Sequence, residues 1–294
     1  MRAALCLAAT WLALAACTPP DSTQPAGDGS AAGASPASPT ADSAAIGDET
    51  GADEPADDTN PMVPLLEQSI PYGEGADGNL VGFLAVPADA AEPLPGVLLL
   101  HEWWGLNDSL REAARRIARE GYVVLAADLY GGRTAATVPQ AQALLRELVE
   151  APDNVRANLR QAYEYLERYA LAPRIGCVGW DLGGRWALQT ALMLPDRLDA
   201  VVIVYGAVEL DGSALETLDM PLLGLFGEQD RSIALRDVQE FRNILGRLGK
   251  PAEVRIYSGV DHGFFFPGSE TYSPIAADDA WLRITALLEA GLKN

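Results

Sequence analysis

The sequence predicts an α/β fold in which a mostly parallel central sheet is covered by helices on both faces, and three observations carry that expectation. Several short runs are apolar throughout, as strands buried on both faces must be. Helix-length amphipathic stretches alternate with them, giving crossovers long enough to return the chain to a parallel neighbour. A glycine-flanked bend, Gly179-Trp180-Asp181-Leu182-Gly183-Gly184, joins one apolar run to a helical one.

Before the domain, the chain opens with Met1-Arg2 and an apolar run from Ala3 to Ala16. A positive start, a run too short to span a bilayer and a small-residue exit read as a secretory signal over residues 1–16. Leu14-Ala15-Ala16-Cys17 resembles the lipobox of bacterial lipoproteins. That resemblance implies cleavage before Cys17, a lipid on its sulfur and, because Thr18 follows and not Asp, an outer-membrane position facing the periplasm, anchored without spanning. Of the 3 cysteines, Cys6 would leave with the signal and Cys17 would be lipidated. Only Cys177 would remain, which permits no internal disulfide. Residues 17–60 hold no aromatic, Lys or Arg and are dense in Ala, Gly, Ser, Pro, Thr and Asp. Such a segment buries too little surface to offset its ordering entropy. It is expected to be a disordered acidic tether spanning about 35 to 40 Å as a flexible coil.

Charge narrows the partners. The 21 Lys and Arg against 41 Asp and Glu give a net −20, and no basic stripe interrupts it. Nucleic acid is therefore not an expected partner, nor is an anionic lipid surface held by charge. A small-molecule substrate and the membrane, through Cys17, are.

Residues 61–294 read as a single domain. Leu80 to Val86 is an early strand, and Gly96 to His101 a strand apolar up to its last residue. Asn107-Asp108-Ser109 caps a helix whose inner face is Leu110, Ala114, Ile117 and Ala118 and which stops at Gly121. Tyr122 to Asp128 is the next buried strand, followed by helices after Pro139 and from Asp153 to about Tyr169. Beyond the bend strand come strands at Ala200–Tyr205 and Pro221–Gly227, a helix from Ile233 to Leu248, a strand from Ala252 to Tyr257 and a closing helix from Ala276 to Leu292.

Ligands of open α/β sheets sit beyond the carboxyl ends of the strands, so the chemistry is sought there. Four ends carry polar groups: His101-Glu102, Asp181 in the bend, Asp230 in Gly227-Glu228-Gln229-Asp230, and His262 in Asp261-His262-Gly263-Phe264. The bend has the form of a nucleophile elbow, and the order nucleophile, acid, histidine is that of α/β-hydrolases. His101 is read as a structural hydrogen-bonding residue. Cys177, inside the bend strand, is read as a buried thiol.

Together with Trp103-Trp104-Gly105-Leu106-Asn107, Asp128-Leu129-Tyr130 and Gly179-Trp180-x-Leu182-Gly183-Gly184, these ends resemble the dienelactone hydrolase family over nearly all of residues 65–294. The resemblance implies the α/β-hydrolase fold and a hydrolase. It implies a nucleophile at 181 oriented through His262 and Asp230, Glu102 as its neighbour, and oxyanion donors at the backbone N–H groups of Trp103 and Leu182. Two departures stand out. Position 181 is Asp where the family carries Cys, and the arginines that take a substrate carboxylate in the best-known members do not map, Arg133 lying one place off and Phe266 standing after His262.

Attack by Asp181 on an ester carbonyl would give a mixed anhydride, whereas attack on a tetrahedral carbon bearing a halide or an epoxide oxygen gives an ordinary ester that His262 can clear with water. Trp103, Trp104 and Trp180 are candidate halide donors. Glu102, Asp181 and Asp230 are expected to crowd one imidazole and to raise at least one carboxyl pKa. No metal and no cofactor is expected, since His262, Asp181 and Glu102 make an oxygen-rich set without His-x-x-x-His spacing. The competing expectation is a catalytically inactive relative serving as a ligand- or partner-binding module.

Overall fold

The structure, a computed structural model, describes residues 63–76 and 78–294. The signal at 1–16, Cys17 and the tether to residue 60 lie outside the described residues. The domain begins with a hairpin, β1 (Leu65–Gly75) and β2 (Gly78–Pro87), followed by β3 (Gly96–Leu100), α1 (Asp108–Arg119) and β4 (Val123–Ala127). Two helices in succession, α2 (Val138–Glu150) and α3 (Pro152–Arg168), lead to β5 (Ile175–Trp180), α4 (Leu182–Met193) and β6 (Ala200–Val204). The rest runs α5 (Gly212–Leu215), β7 (Leu222–Gly227), α6 (Leu235–Arg247), β8 (Ala252–Tyr257) and α7 (Pro274–Leu292).

Sheet order is β1-β2-β4-β3-β5-β6-β7-β8. β1 and β2 pair antiparallel, as do β2 and β4, and every pairing from β4–β3 to β7–β8 is parallel. This is the α/β-hydrolase fold. Strands β3 to β7 are buried on both faces because alternate side chains enter different layers. Leu98, Leu100, Cys177 and Ile203 pack with Leu159 of α3, Ala187 of α4 and Phe241 of α6, while Val97, Leu99, Val178 and Val204 pack with Ile117 of α1 and Ile284 of α7. Each fully buried Leu or Ile contributes about 1.5–3 kcal/mol relative to exposure. These two layers hold the strand ends in fixed relation.

Local signals account for the element ends. Asn107 accepts the Leu110 N–H at 3.1 Å to cap α1, and Gly121 leaves it at φ 90°. α7 starts at Pro274, two residues before the expected Ala276, because proline suits the first turn of a helix. Two elements carry no signal of that strength. β1 buries only Ile70 and Tyr72 among polar residues, and its register shifts between Pro71 and Gly73. It is held from the side instead: the Tyr72 hydroxyl donates to Asn158 Oδ1 at 2.6 Å, and Asn158 Nδ2 donates to the Asp128 carbonyl at 2.9 Å. α5 is four residues long and was not expected. No helix among the described residues is long and apolar enough to cross a membrane.

Candidate active site

The elbow is built by close approach. A Cβ on Gly179 would run into the Gly183 carbonyl, and one on Gly183 into the carbonyl of Leu100 at the end of β3. Only glycine lets the turn from β5 to α4 pass its neighbours. Asp181 sits at the apex with φ 51° and ψ −114°, a strained conformation for a side-chain-bearing residue, and its own N–H is tied to the Val204 carbonyl at 3.0 Å. Strain of this kind persists only where surrounding bonds hold it.

The sheet brings three of the predicted residues together. His262, on the loop after β8, places Nδ1 2.8 Å from Asp230 Oδ2 and Nε2 3.3 Å from Asp181 Oδ1. Asp230 follows β7, and its other oxygen accepts the N–H groups of Ser232 at 2.7 Å and Ile233 at 2.8 Å. The loop holding His262 is fixed by its own N–H to Asp261 Oδ1 at 2.7 Å and by the Thr271 hydroxyl on its carbonyl. Burial works against a charge on His262, but the hydrogen bonds to Asp181 and Asp230, reinforced by their negative charge, prevail and lift its pKa from 6.5 to about 10. Near neutral pH the ring is therefore an imidazolium between two acids.

Asp181 divides its oxygens. While Oδ1 faces the imidazole, Oδ2 accepts the backbone N–H of Trp103 at 3.3 Å. Leu182, the other predicted oxyanion donor, opens α4, where backbone N–H groups have no acceptor within the helix.

Glu102 stands where the charges of both Asp181 and His262 act on it, and it carries the raised carboxyl pKa that crowding predicted. It does not bond the imidazole; it accepts the Tyr205 hydroxyl at 2.8 Å on Oε1. Burial above all, with the charge of Asp181 adding to it, raises the Glu102 pKa to about 7 against the lowering effect of the Tyr205 bond. Tyr205 is the residue the sequence reading missed: it looked like the last apolar residue of β6. It is fully buried, has φ 39°, and sets its ring edge-on to His262 with centroids 4.9 Å apart. A tyrosine ending an apolar strand beside the elbow was the available signal.

Other predicted positions fall apart from the cluster. His101 is sealed: Nδ1 lies 2.6 Å from the Glu102 carbonyl, and Nε2 receives the Leu129 N–H at 3.0 Å, so the network assigns a neutral ring that ties β3 to the loop after β4. Burial lowers its pKa. Cys177 is buried, with its pKa raised by that burial. Trp180 does not face the site as a halide donor, because the pleat sends it to the α1/α7 layer against Phe265 and Phe266, and its indole Nε1 is buried without a partner. Trp104 stacks obliquely on Trp103 at 4.9 Å. Arg133 lines a separate cavity by the β1–β2 hairpin and is paired to Glu147 at 2.7 Å. No group of three or more His, Cys, Asp or Glu among the described residues is arranged to hold a metal ion.

A cavity of about 290 Å³ opens on Asp181 and His262. Leu145, Leu182 and Ile233 give it apolar wall, Trp103 an aromatic side, and Arg185 and Ser232 polar groups that the sequence reading had not singled out. That combination suits a small organic molecule with an apolar body and at least one polar group.

Comparison with known proteins agrees with this geometry. The sequence profile of the dienelactone hydrolase family matches residues 80–292. Protein usf of Aquifex pyrophilus is 31% identical over 207 residues, 68% of this chain and 88% of the relative. A protein of Escherichia coli (strain K12) named as a carboxymethylenebutenolidase is 31% identical over 222 residues, covering 70% of this chain and 80% of its own. The crystal structure of a protein named as a dienelactone hydrolase from Klebsiella pneumoniae superposes with a TM-score of 0.68 at 28% identity, over 76% of this chain and 98% of that one.

Proposed function

The chain belongs to the dienelactone hydrolase family and is a hydrolase, and from that premise we propose that it opens a small epoxide by direct attack of Asp181. The observation that carries this reading is the division of the Asp181 oxygens between Trp103 N–H and His262 Nε2. With Oδ2 on the oxyanion donor, a substrate carbonyl would have to displace the enzyme's own oxygen to be activated. Attack by Oδ1 on a tetrahedral carbon needs no such displacement.

The steps balance. Asp181 Oδ1 bonds to carbon, the strained C–O bond breaks, and the His262 imidazolium gives its Nε2 proton to the departing oxygen, leaving a neutral ring. That ring then takes a proton from water, whose oxygen adds to Asp181 Cγ while charge gathers on Oδ2, where the N–H groups of Trp103 and Leu182 receive it. Collapse breaks the ester C–O bond, His262 protonates the released alkoxide, and the proton left on Asp181 returns to the imidazole. Asp230 orients the ring throughout. Glu102, held by Tyr205, tunes the field without touching the ring. An epoxide is favoured over a halide because its leaving oxygen needs the proton His262 carries, and because the Trp180 indole is turned away.

Turnover of an epoxide panel in H₂¹⁸O, followed by peptide mass analysis, tests this: multiple turnovers label the Asp181 carboxylate. Turnover without label overturns the covalent step. Absence of turnover on epoxides, haloacids and aryl esters, with ligand binding retained in Asp181→Asn, would establish the binding-module alternative.

The same proposal covers placement. Residues 1–16 direct export, Cys17 carries the lipid, residues 17–60 tether the domain 61–294 to the outer membrane on its periplasmic side, and a small molecule, not nucleic acid, is its partner. Leu14-Ala15-Ala16-Cys17 supports it. Labelled palmitate incorporated into the full chain and lost in Cys17→Ala is the expected result; incorporation unaffected by the substitution rejects it.

A further inference from the structure

We propose that the β8 edge of the sheet pairs with its own copy, so that two molecules of this protein join into one continuous sheet about a two-fold axis. Among the described residues β8 ends the sheet order, with β7 on one side and no strand on the other. The Leu222 N–H donates to the Pro251 carbonyl at 3.0 Å and the Glu228 N–H to the Tyr257 carbonyl at 2.9 Å, so the odd-numbered residues here face β7. In a strand the N–H and C=O of one residue point to one side and those of the next to the other, which turns Ala252, Val254 and Ile256 to the open edge. The Ala252 N–H is engaged by the Lys250 carbonyl at 2.8 Å.

Such an edge is a template for another strand unless charge or shape spoils it. Charge is present, but its order makes this edge complementary to itself. Glu253 and Arg255 are both exposed and lie on the same face of the sheet. A two-fold axis makes the pairing antiparallel and isologous, so each register is defined by the residue that meets its own copy. Meeting at residue 253 opposes two glutamates, meeting at residue 255 opposes two arginines, and like charges directly opposite are destabilising. Meeting at Val254 sets each Glu253 against the other copy's Arg255. The backbone allows that register. Val254 exchanges both N–H and C=O bonds with its copy, each Ile256 N–H reaches the other copy's Ala252 carbonyl, and Glu253 and Arg255 fall at the non-hydrogen-bonded positions, where side chains are closest.

The surroundings suit this occupant. α7 packs over β5, β6 and β7. Beside β8 it leaves a groove of about 480 Å³ walled by Glu253, Leu282, Arg283 and Ala286, with Leu282 68% exposed at its lip. Within the chain Glu253 meets Arg283, which meets Asp279 in turn, and the Arg255 guanidinium rests 5.5 Å from the centre of the Tyr257 ring. The other copy's Arg255 extends that network as a run of alternating sign, Asp279, Arg283, Glu253, Arg255. On the opposite face Ala252, Val254 and Ile256 are half-buried against the layer that holds α6, and pairing covers the apolar surface they still show. The far edge of the sheet is unsuited: β1 carries Pro71 and a register shift, and its charged residues, Glu67 and Glu74, are of one sign.

Sedimentation velocity on the purified full chain tests this, with Cys17→Ala throughout so that a lipid there cannot gather copies, in physiological salt that screens the net −20 of each molecule. The chain is expected to pass from monomer to dimer between about 1 μM and 1 mM. Glu253→Arg and Arg255→Glu each bring like charges together at both symmetry-related pairs and weaken the dimer roughly tenfold or more. Mixed in equal amounts these two variants are complementary, and their heterodimer regains the affinity of the unsubstituted chain. Val254→Pro removes an N–H that faces the open edge, so folding, read by circular dichroism, is kept and pairing is lost. A chain that stays monomeric to about 1 mM, a dimer indifferent to the single substitutions, folded charge variants that fail to recover on mixing, or a Val254→Pro chain that still dimerises overturns the proposal. Should a charge variant not fold, Val254→Pro decides alone.

Discussion

Two histidines stand at strand ends of one sheet, and the fold makes opposites of them. His101 is fully buried, its two nitrogens engaged by the Glu102 carbonyl and the Leu129 N–H. His262 keeps its side chain a quarter exposed and faces two carboxylates. Burial dominates the first and lowers its pKa; in the second, burial is outweighed and the pKa rises to about 10. Residue type and strand-end position are shared. Both rings have carboxylates nearby, Asp128 lying 3.9 Å from His101 Nε2; what separates them is complete burial of the first and direct hydrogen bonds from the second to two carboxylates.

The strongest way to break the contrast is to remove the acid that His262 serves. Asp181→Asn is expected to lose at least a thousandfold in turnover of the epoxide panel, measured by product release, since a nucleophile has no substitute. Asp230→Asn comes next, with a loss of about a hundred- to ten-thousandfold. The same variant should draw the His262 titration down from about 10 towards 6.5, read by NMR of the ring, so a titration left in place would show that Asp230 does not set the ring's charge.

Replacing His101 should act on stability instead. His101→Ala leaves the Glu102 carbonyl and the Leu129 N–H unpaired in a sealed place, at an expected cost of about 2–3 kcal/mol by urea unfolding. Turnover per folded molecule should change little.

Opposite pH signs follow from the same comparison. His262 contributes stability that is complete below 6.5 and lost as pH rises through about 10, because its folded pKa is raised. His101, with its pKa lowered, contributes stability present above 6.5 and lost as pH falls. Thermal unfolding in His262→Gln should therefore flatten on the alkaline side, and in His101→Ala on the acid side. The smallest effect belongs to Glu102→Gln. Its folded pKa of about 7 lies above the ordinary 4.5, so the native protein loses stability as pH rises from 4.5 through 7, and the glutamine variant should lack that slope.

The sheet was legible because β3 to β7 are buried on both faces and carry an unbroken apolar record of it. β1 was not, since an edge strand that buries only Ile70 and Tyr72 writes no period long enough to read. Asp181, Asp230 and His262 could be named from their strand ends, because chain direction decides which ends share a rim. Side-chain direction was harder. Trp180 looked available beside the elbow until the pleat sent it into the opposite layer. Glu102 stands near the imidazole as expected, but its hydrogen bond goes to Tyr205, and a tyrosine at the end of an apolar run was the one faint sign of that in the sequence.

One atom of Asp181 has a consequence for how such proteins diversify. The oxygen resting on Trp103 N–H is the one a thiol side chain does not possess. Exchanging aspartate for cysteine there would vacate the anion receptor while leaving histidine, its orienting acid and the strained elbow where they are. If the proposed alkyl-ester mechanism holds, one amino-acid change separates it from acyl-thioester chemistry, and Asp181→Cys should acquire measurable aryl-esterase turnover on a scaffold otherwise untouched.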